Sequence, residues 1–369
     1  MKPGDDRGEE QRFEALLRSI QPGNAYFVTG KNGSGKSRFF AYATREMYRA
    51  QQRMHPTGRL LCLSGTLHDK YPPPVYRANA AKWDVVYLGH KVNNNMVSGT
   101  APFRVLCHYM LRNMGSPALW TSVARALKRL NLEPRVTFSF RLRRKDGTDV
   151  FGSLPDEVSC SLLDYQNDLG RIESYLGLLY DQKIQLADVS FFRDGVPYGL
   201  NELSSGEKQY ALSILGFIYC GSPGCTVFYD EPENSLHPAW QLSIVKDLAE
   251  VADELRFKAT LIIATHSPLI ASSVRNGNVY LCDLPAGQAW QRADLFGRAS
   301  DTVLREQFHL YSARSPEVAA VINQCLAYVA QNETGRQGFR EAQAELRDFG
   351  LNLTPDDPVA EIVKTLLGL

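Results

Sequence analysis

Gly30, Gly33 and Gly35 are crowded into one short stretch that runs straight into Lys36 and Ser37, and this spacing constrains the fold more than any other feature of the chain. The string Gly30-Lys31-Asn32-Gly33-Ser34-Gly35-Lys36-Ser37 fits GxxxxGK[ST]. It is preceded by the β-prone run Ala25 to Thr29 and followed by Lys36 to Arg49, which has helical character. The chain must therefore pass from strand through a tight loop into a helix. Glycines let the loop turn its N–H groups inward around an anion, and the helix adds its positive N-terminal end. The pattern predicts an α/β protein in which Lys36 reaches the β and γ phosphates of ATP and the Ser37 hydroxyl ligates Mg²⁺. Lys31, Asn32, Ser34 and Arg38 complete the expected nucleotide-binding segment.

Other short apolar runs, Leu60 to Ser64, Val85 to Leu88, Thr226 to Tyr229, Thr260 to Ala264 and Val279 to Leu281, read as buried parallel strands. The stretch Ala239 to Phe257, after Pro238, carries Ile244, Val245, Leu248, Ala252 and Leu255 at helical spacing and reads as one long helix. This alternation predicts a mostly parallel sheet. Over 369 residues, Lys+Arg total 41 against Asp+Glu 40, so no global basic field attracts nucleic acid. The seven cysteines have no paired spacing, which argues against a zinc site or disulfide framework. No stretch approaches the length of a membrane span and no basic, apolar leader opens the chain, so a cytoplasmic protein without membrane contact is expected.

Two further segments carry chemistry. Cys225 to Glu231 is an apolar strand ending in adjacent carboxylates, a Walker B pattern in which Asp230 holds Mg²⁺ and Glu231 polarises the attacking water. Leu203-Ser204-Ser205-Gly206-Glu207-Lys208-Gln209 opens a helix running to about Tyr219 and, read alone, is a good helix start. In this order and spacing it resembles the signature motif of ABC ATPases. That resemblance implies that Ser204, Ser205, Gly206 and Glu207 face the nucleotide of a second copy, so composite sites form in a homodimer. Glu233 to Pro238 stands where these proteins carry the D-loop. Ala264-Thr265-His266-Ser267-Pro268 resembles their switch histidine, which makes His266 a catalytic candidate beside Glu231.

The family pattern is broken in two places. No Gln lies between Arg53 and Tyr165 to serve as the Q-loop glutamine, and an Asn in Gly89 to Asn95, after Val85 to Leu88, is the expected stand-in. An adenine-stacking aromatic near the start can only be Phe13 or Tyr26, and the first 24 residues look helical.

The chain is thus read as a P-loop NTPase with an ABC ATPase core over 1–100 and 201–295, an insertion over 101–200 and a helical region over 296–369. Within the insertion two helical stretches precede the alternating segment Arg135 to Arg143, where Val136, Phe138, Phe140 and Leu142 point one way. Lys145-Asp146-Gly147 supplies the turn of a hairpin, and about Glu157 to Ala187 reads as further helix. Arg135, Arg141, Arg143, Arg144 and Lys145 make a candidate DNA-contacting patch.

DEPENSLHP with THSP resembles soluble ATPases of the OLD-like, Septu-type and retron-associated phage-defence group. OLD proteins carry a Toprim nuclease, for which the segment 296–369 has neither length nor acidic cluster. The resemblance therefore implies an ATPase whose dimer regulates a separate effector, an HNH or Toprim nuclease or a toxin. The alternative is a RecF-like repair ATPase acting directly on nucleic acid through the arginine patch.

Overall fold

The computed structural model describes residues 6–53, 58–76, 85–93, 95–113, 116–142, 157–161, 169–273, 278–293, 315–351, 353 and 359–368. In order, the elements begin with α1 (Asp6–Arg18), β1 (Ala25–Thr29), α2 (Lys36–Arg53), β2 (Leu60–Ser64), α3 (Pro73–Tyr76) and β3 (Val85–Leu88). Next come α4 (Ala101–Asn113), α5 (Pro117–Arg129), β4 (Arg135–Leu142), β5 (Glu157–Ser161), α6 (Leu169–Tyr180), β6 (Ile184–Arg193) and β7 (Val196–Gly199). Then follow α7 (Ser205–Cys220), β8 (Thr226–Asp230), α8 (Pro238–Gln241), α9 (Ile244–Glu254), β9 (Thr260–Ala264), α10 (Pro268–Ala271), β10 (Val279–Asp283) and β11 (Gln291–Arg292). The helices α12 (Pro316–Ala330), α13 (Gln337–Asp348) and α14 (Ala360–Leu367) close the chain. It divides into two compact units, 1–297 and 298–369.

The first unit is α/β. Its central sheet has the order β11-β10-β1-β9-β8-β2-β3, parallel throughout except for the antiparallel edge pair β10/β11. Every residue of β1, β2, β3 and β9 is buried, which is why these strands read as unbroken apolar runs rather than alternating ones. One face is covered by α1 and α2, whose Phe13, Leu16, Phe39 and Phe40 join Tyr26, Val28, Phe228 and Ile262 in one cluster. The other is covered by α7, and Gly216 is small because Leu88 lies where its side chain would be. Sandwiched among α4, α5 and α9, α7 is apolar on all sides.

A second, antiparallel sheet has the order β5-β4-β6-β7 and packs on α4 and α6. The region read as helix from Glu157 to Ala187 is, among its described residues, strand, helix and strand, α6 being the helical part. β6 pairs with both β4 and β7, and its register against β4 shifts between Ser139 and Phe140. That irregularity spoils the period-two pattern of β6, so its strand character is masked in the sequence. Val136, Phe138 and Phe140 are buried as expected, but Leu142 is exposed beyond the packed region. The expected turn at Lys145 to Gly147 lies outside the described residues. The single helix expected from Ala239 to Phe257 is two: α8 is one turn, capped by His237 with Pro238 at its start, and α9 begins after Ser243.

The second unit is a bundle of α12, α13 and α14 around Val321, Ile322, Cys325, Phe339, Leu346 and Val363. Ser315 caps α12 by accepting a hydrogen bond from the N–H of Val318. No described helix is long and apolar enough to cross a membrane.

Candidate nucleotide site

Three neighbouring parallel strands end together. Ala264 of β9 is level with Val28 of β1 on one side and Asp230 of β8 on the other. Past the strand ends the three exits remain stitched: Thr265 N–H donates to Val28 C=O at 3.0 Å and Glu231 N–H to Ala264 C=O at 2.9 Å. The glycine loop after β1, the carboxylates after β8 and His266 after β9 therefore share one edge of the sheet, where ligands of open α/β sheets bind.

In the loop, Gly30, Gly33 and Gly35 have φ of 135°, 82° and 110°, conformations that side-chain-bearing residues avoid. At Gly30 a Cβ would also lie 2.3 Å from the Leu284 carbonyl oxygen. Lys36 is buried, with its Nζ donating to the carbonyls of Gly30 at 2.7 Å and Lys31 at 3.3 Å. Ser34 Oγ is buried without a hydrogen-bonding partner. Lys31, Asn32 and Gly33 are exposed, and Ser37 is half-buried at the first turn of α2. Arg38 pairs with Glu9 of α1 at 3.0 Å, and the same carboxylate lies beside Gly35, so α1 borders the loop.

Asp230 is buried, and its Oδ1 has no partner. Burial pushes its carboxyl up to about 8; Glu231, Asp69 and Glu233 push in the same direction and Lys36 opposes them. A buried carboxylate crowded by like charge, and a buried hydroxyl in the glycine loop with nothing to bond, are groups that a cation and its anionic partner would satisfy. The residues thus fit Mg²⁺ and a nucleotide phosphate: Ser37 and Asp230 as oxygen donors for the ion, Lys36 and the loop N–H groups for the phosphates. Glu231 sits at φ 48°, a strained conformation for a non-glycine residue, and its carboxylate accepts from the Asn234 amide at 2.8 Å.

Glu233, which the sequence marks only as part of a loop, organises the histidine. Its buried carboxylate accepts from Thr265 Oγ1 at 2.8 Å, from the His266 N–H at 2.6 Å and lies 3.0 Å from His266 Nδ1. The hydrogen bond to Glu233 raises the His266 pKa above its usual value, against the opposing effect of burial. This contact fixes the ring by its Nδ1 side, the imidazole being about half exposed.

The start of α7 has its own neighbourhood. Ser204 accepts from the Glu207 N–H at 3.2 Å and Glu207 accepts from the Ser204 N–H at 2.8 Å, a reciprocal capping box. Arg193 of β6 clamps the same carboxylate at 2.8 Å. Ser204 and Glu207 are thus engaged in capping, while Ser205 is exposed. Gly206 is packed on the Ser235 carbonyl oxygen and the Trp240 ring, within 2.7 and 3.0 Å of where a Cβ would stand.

Several expected residues fall elsewhere. Phe13 and Tyr26 are buried inside the core, Phe13 against Phe39 and Tyr26 stacked on Tyr280, so neither presents a face for a base. The loop from Gly89 leaves β3, the strand at the sheet edge, and turns back on itself through Val92 N–H to Met96 C=O at 2.9 Å. The strand beside β8 is β2, with Ser64 level with Asp230. Its exit leads to Asp69, a buried carboxylate held by Tyr87 OH at 2.6 Å and Lys91 at 3.4 Å. Arg135 lies over the Phe192 ring at 4.0 Å and Arg141 is exposed, while Arg143, Arg144 and Lys145 lie outside the described residues.

Residues 131–272 match a family model described as "AAA domain, putative AbiEii toxin, Type IV TA system". The match takes in the antiparallel sheet, α7, the carboxylates after β8 and His266. The chain is 23% identical to Protein ea59 of Escherichia phage lambda over 280 residues, covering 71% of this chain and 49% of that protein. The chain thus spans about half the length of the curated relative it matches. Among solved structures it is similar to cbiO1 of Clostridium perfringens, part of an ABC transporter complex, at 12% identity with a TM-score of 0.31, covering 82% of this chain and 89% of that one. It is also similar to UvrA2 of Deinococcus radiodurans, at 16% identity and a TM-score of 0.33, covering 82% of this chain and 37% of that one.

Proposed function

We propose that this chain is an ABC-type ATPase that binds ATP with Mg²⁺, closes two copies around it and, through that dimer, regulates a separate effector in antiphage defence. The observation that carries the ATPase reading is the convergence, on three adjacent strand ends, of the glycine loop with Lys36, the partnerless buried oxygen of Asp230 and the His266–Glu233 pair. In this reading Lys36 exchanges its bonds to the loop carbonyls for phosphate oxygens. Ser37 and Asp230 hold the Mg²⁺ ion, which when bound neutralises phosphate charge. Glu231 orients the attacking water, and its carboxylate is already aimed by Asn234. His266, held on its Nδ1 side by Glu233, offers Nε2 to the γ phosphate.

The dimer reading is supported by the exposure of Ser205 at the tip of α7. The effector reading draws on the resemblance of DEPENSLHP and THSP to phage-defence ATPases and on the description of the matching family, which includes a toxin. Glu231→Gln keeps the side chain's size and its bond to Asn234 but removes the charge that polarises water. It is expected to bind ATP as the wild type does and to lose turnover by about 10²–10⁴-fold. Size-exclusion chromatography with ATP and Mg²⁺ should show it as a dimer. A variant that stays monomeric at saturating nucleotide, or that hydrolyses ATP normally, contradicts the composite-site reading. Affinity capture of the Glu231→Gln chain from its native host tests the effector, whose absence would remove the regulatory part alone.

A further inference from the structure

We propose that Gln209 is a positioning residue that ties the start of α7 to the backbone of the two catalytic carboxylates, by way of the exit of β2. The inference rests on the ATPase reading above. Gln209 lies in the second turn of α7 and is buried, as are Ser64, Ser213 and Tyr229 around it. Its Nε2 donates to Ser64 C=O at 3.0 Å and to Tyr229 OH at 3.2 Å.

The hydroxyl protons admit a single arrangement. Ser213 Oγ donates to the Gln209 carbonyl at 2.8 Å, so its one proton is committed. In the 2.6 Å contact between Ser213 Oγ and Tyr229 OH the tyrosine must then be the donor, which leaves its oxygen to accept from Gln209. A buried network with its direction fixed in this way holds its members in one geometry.

What makes Gln209 more than a packing residue is where its bond to Ser64 leads. The next residue, Gly65, donates its N–H to the Asp230 carbonyl at 2.8 Å. A Cβ on Gly65 would stand 2.0 Å from the Glu231 carbonyl oxygen, so the backbone there is in direct contact with the catalytic turn. At the other end, Gly206 packs on Ser235 and Trp240, on the segment that follows the same carboxylates. Any displacement of the tip of α7, as when a second copy docks on Ser205, is passed through the Gln209 amide to Ser64, Gly65 and the backbone of Asp230 and Glu231. Ser213, one turn deeper, also accepts from the Gln209 amide, at 3.4 Å, but Ser213→Ala leaves that amide its bonds to Ser64 and Tyr229, which makes it the comparison for loss of the network without loss of the bond to β2's exit.

The test compares Gln209→Met and Gln209→Leu with Ser213→Ala in the full chain, measuring ATP turnover, ATP affinity and thermal unfolding. Neither replacement at 209 can donate to Ser64. Both are expected to lower kcat by about tenfold or more with KM within about twofold, because placement of the reacting groups, not ground-state binding, is what is lost. Ser213→Ala should lower the melting temperature comparably but hold kcat within about twofold of wild type. Wild-type kcat in both Gln209 variants overturns the relay, as does a fall in kcat in Ser213→Ala equal to theirs, or loss of cooperative unfolding in both, which would make Gln209 a folding residue. Absence of Mg²⁺-dependent hydrolysis in the wild type refutes the ATPase reading and the relay together, whereas an active wild type with active variants refutes the relay alone.

Discussion

Glu233 serves three donors with two oxygens: the Thr265 hydroxyl, the His266 amide and the His266 ring. A glutamine there would keep one acceptor and lose the charge that favours a protonated imidazole. Glu233→Gln is therefore expected to lower ATP turnover by about tenfold or more through a misplaced His266. It also carries a signature in pH. The histidine's pKa is raised in the folded chain, so the added stability is complete below the ordinary histidine pKa and fades as pH rises through the raised value. The gap in melting temperature between wild type and Glu233→Gln should be widest below about pH 6.5 and narrow toward pH 9, since only its charge-independent part survives. A gap that widens with pH would refute this assignment. That the residues of the candidate site share one sheet edge was legible in the sequence because each stands at a break in its pattern: glycines before Lys36, and a strand end at Asp230, Glu231 and His266. Glu233 was not, because nothing in Pro232-Glu233-Asn234 states which neighbouring strand its carboxylate reaches.

At the scale of elements, α7 packs on α4, α5 and α9 and on β2 and β3 of the central sheet, and its start is bonded to β6 of the second sheet through Arg193. Its tip is set by the Ser204–Glu207 box and by Gly206, whose lack of a side chain lets it sit on the Ser235 carbonyl. Alanine normally favours a helix over glycine by about 1 kcal/mol. At Gly206 that preference is outweighed, because the contact at 2.7 Å is with backbone rather than with a movable side chain. Gly206→Ala is expected to destabilise the chain by about 1–3 kcal/mol, read as a lowered midpoint in denaturant at unchanged slope. Equal or higher stability would show that the tip can shift freely. The parallel strands and α7 are plain in the sequence because burial on all sides leaves long apolar runs. Of the antiparallel sheet only β4 is plain, by its alternation; β5 and β6 were read as helix, and β6 loses its alternation where its register shifts opposite Ser139 and Phe140. The break between α8 and α9 hides for the opposite reason, since the apolar spacing runs on across Leu242 and Ser243 while the backbone does not.

For the whole molecule, two cores in two compact units imply two separable stabilities. Leu346 is buried at the centre of the bundle of α12, α13 and α14. Leu346→Ala should cost that unit about 2–5 kcal/mol while leaving ATP turnover within about twofold, checked by calorimetry alongside the hydrolysis assay. A proportionate loss of turnover would mean the units are energetically one. The larger unit has a further property that follows from the crowding of Asp230 by Glu231, Glu233 and Asp69. A carboxyl raised by burial and by neighbouring carboxylates is one that a bound cation returns to its ionised form, and the unfolded chain gathers no such site for the cation to grip. Such a ligand stabilises by an amount that grows with the logarithm of its concentration, about 2.7 kcal/mol at a hundredfold excess over Kd. On the proposed nucleotide reading, such a fold has its working stability set partly by its surroundings, so that how long a copy survives proteolysis becomes a reading of how much metal-bound nucleotide is at hand.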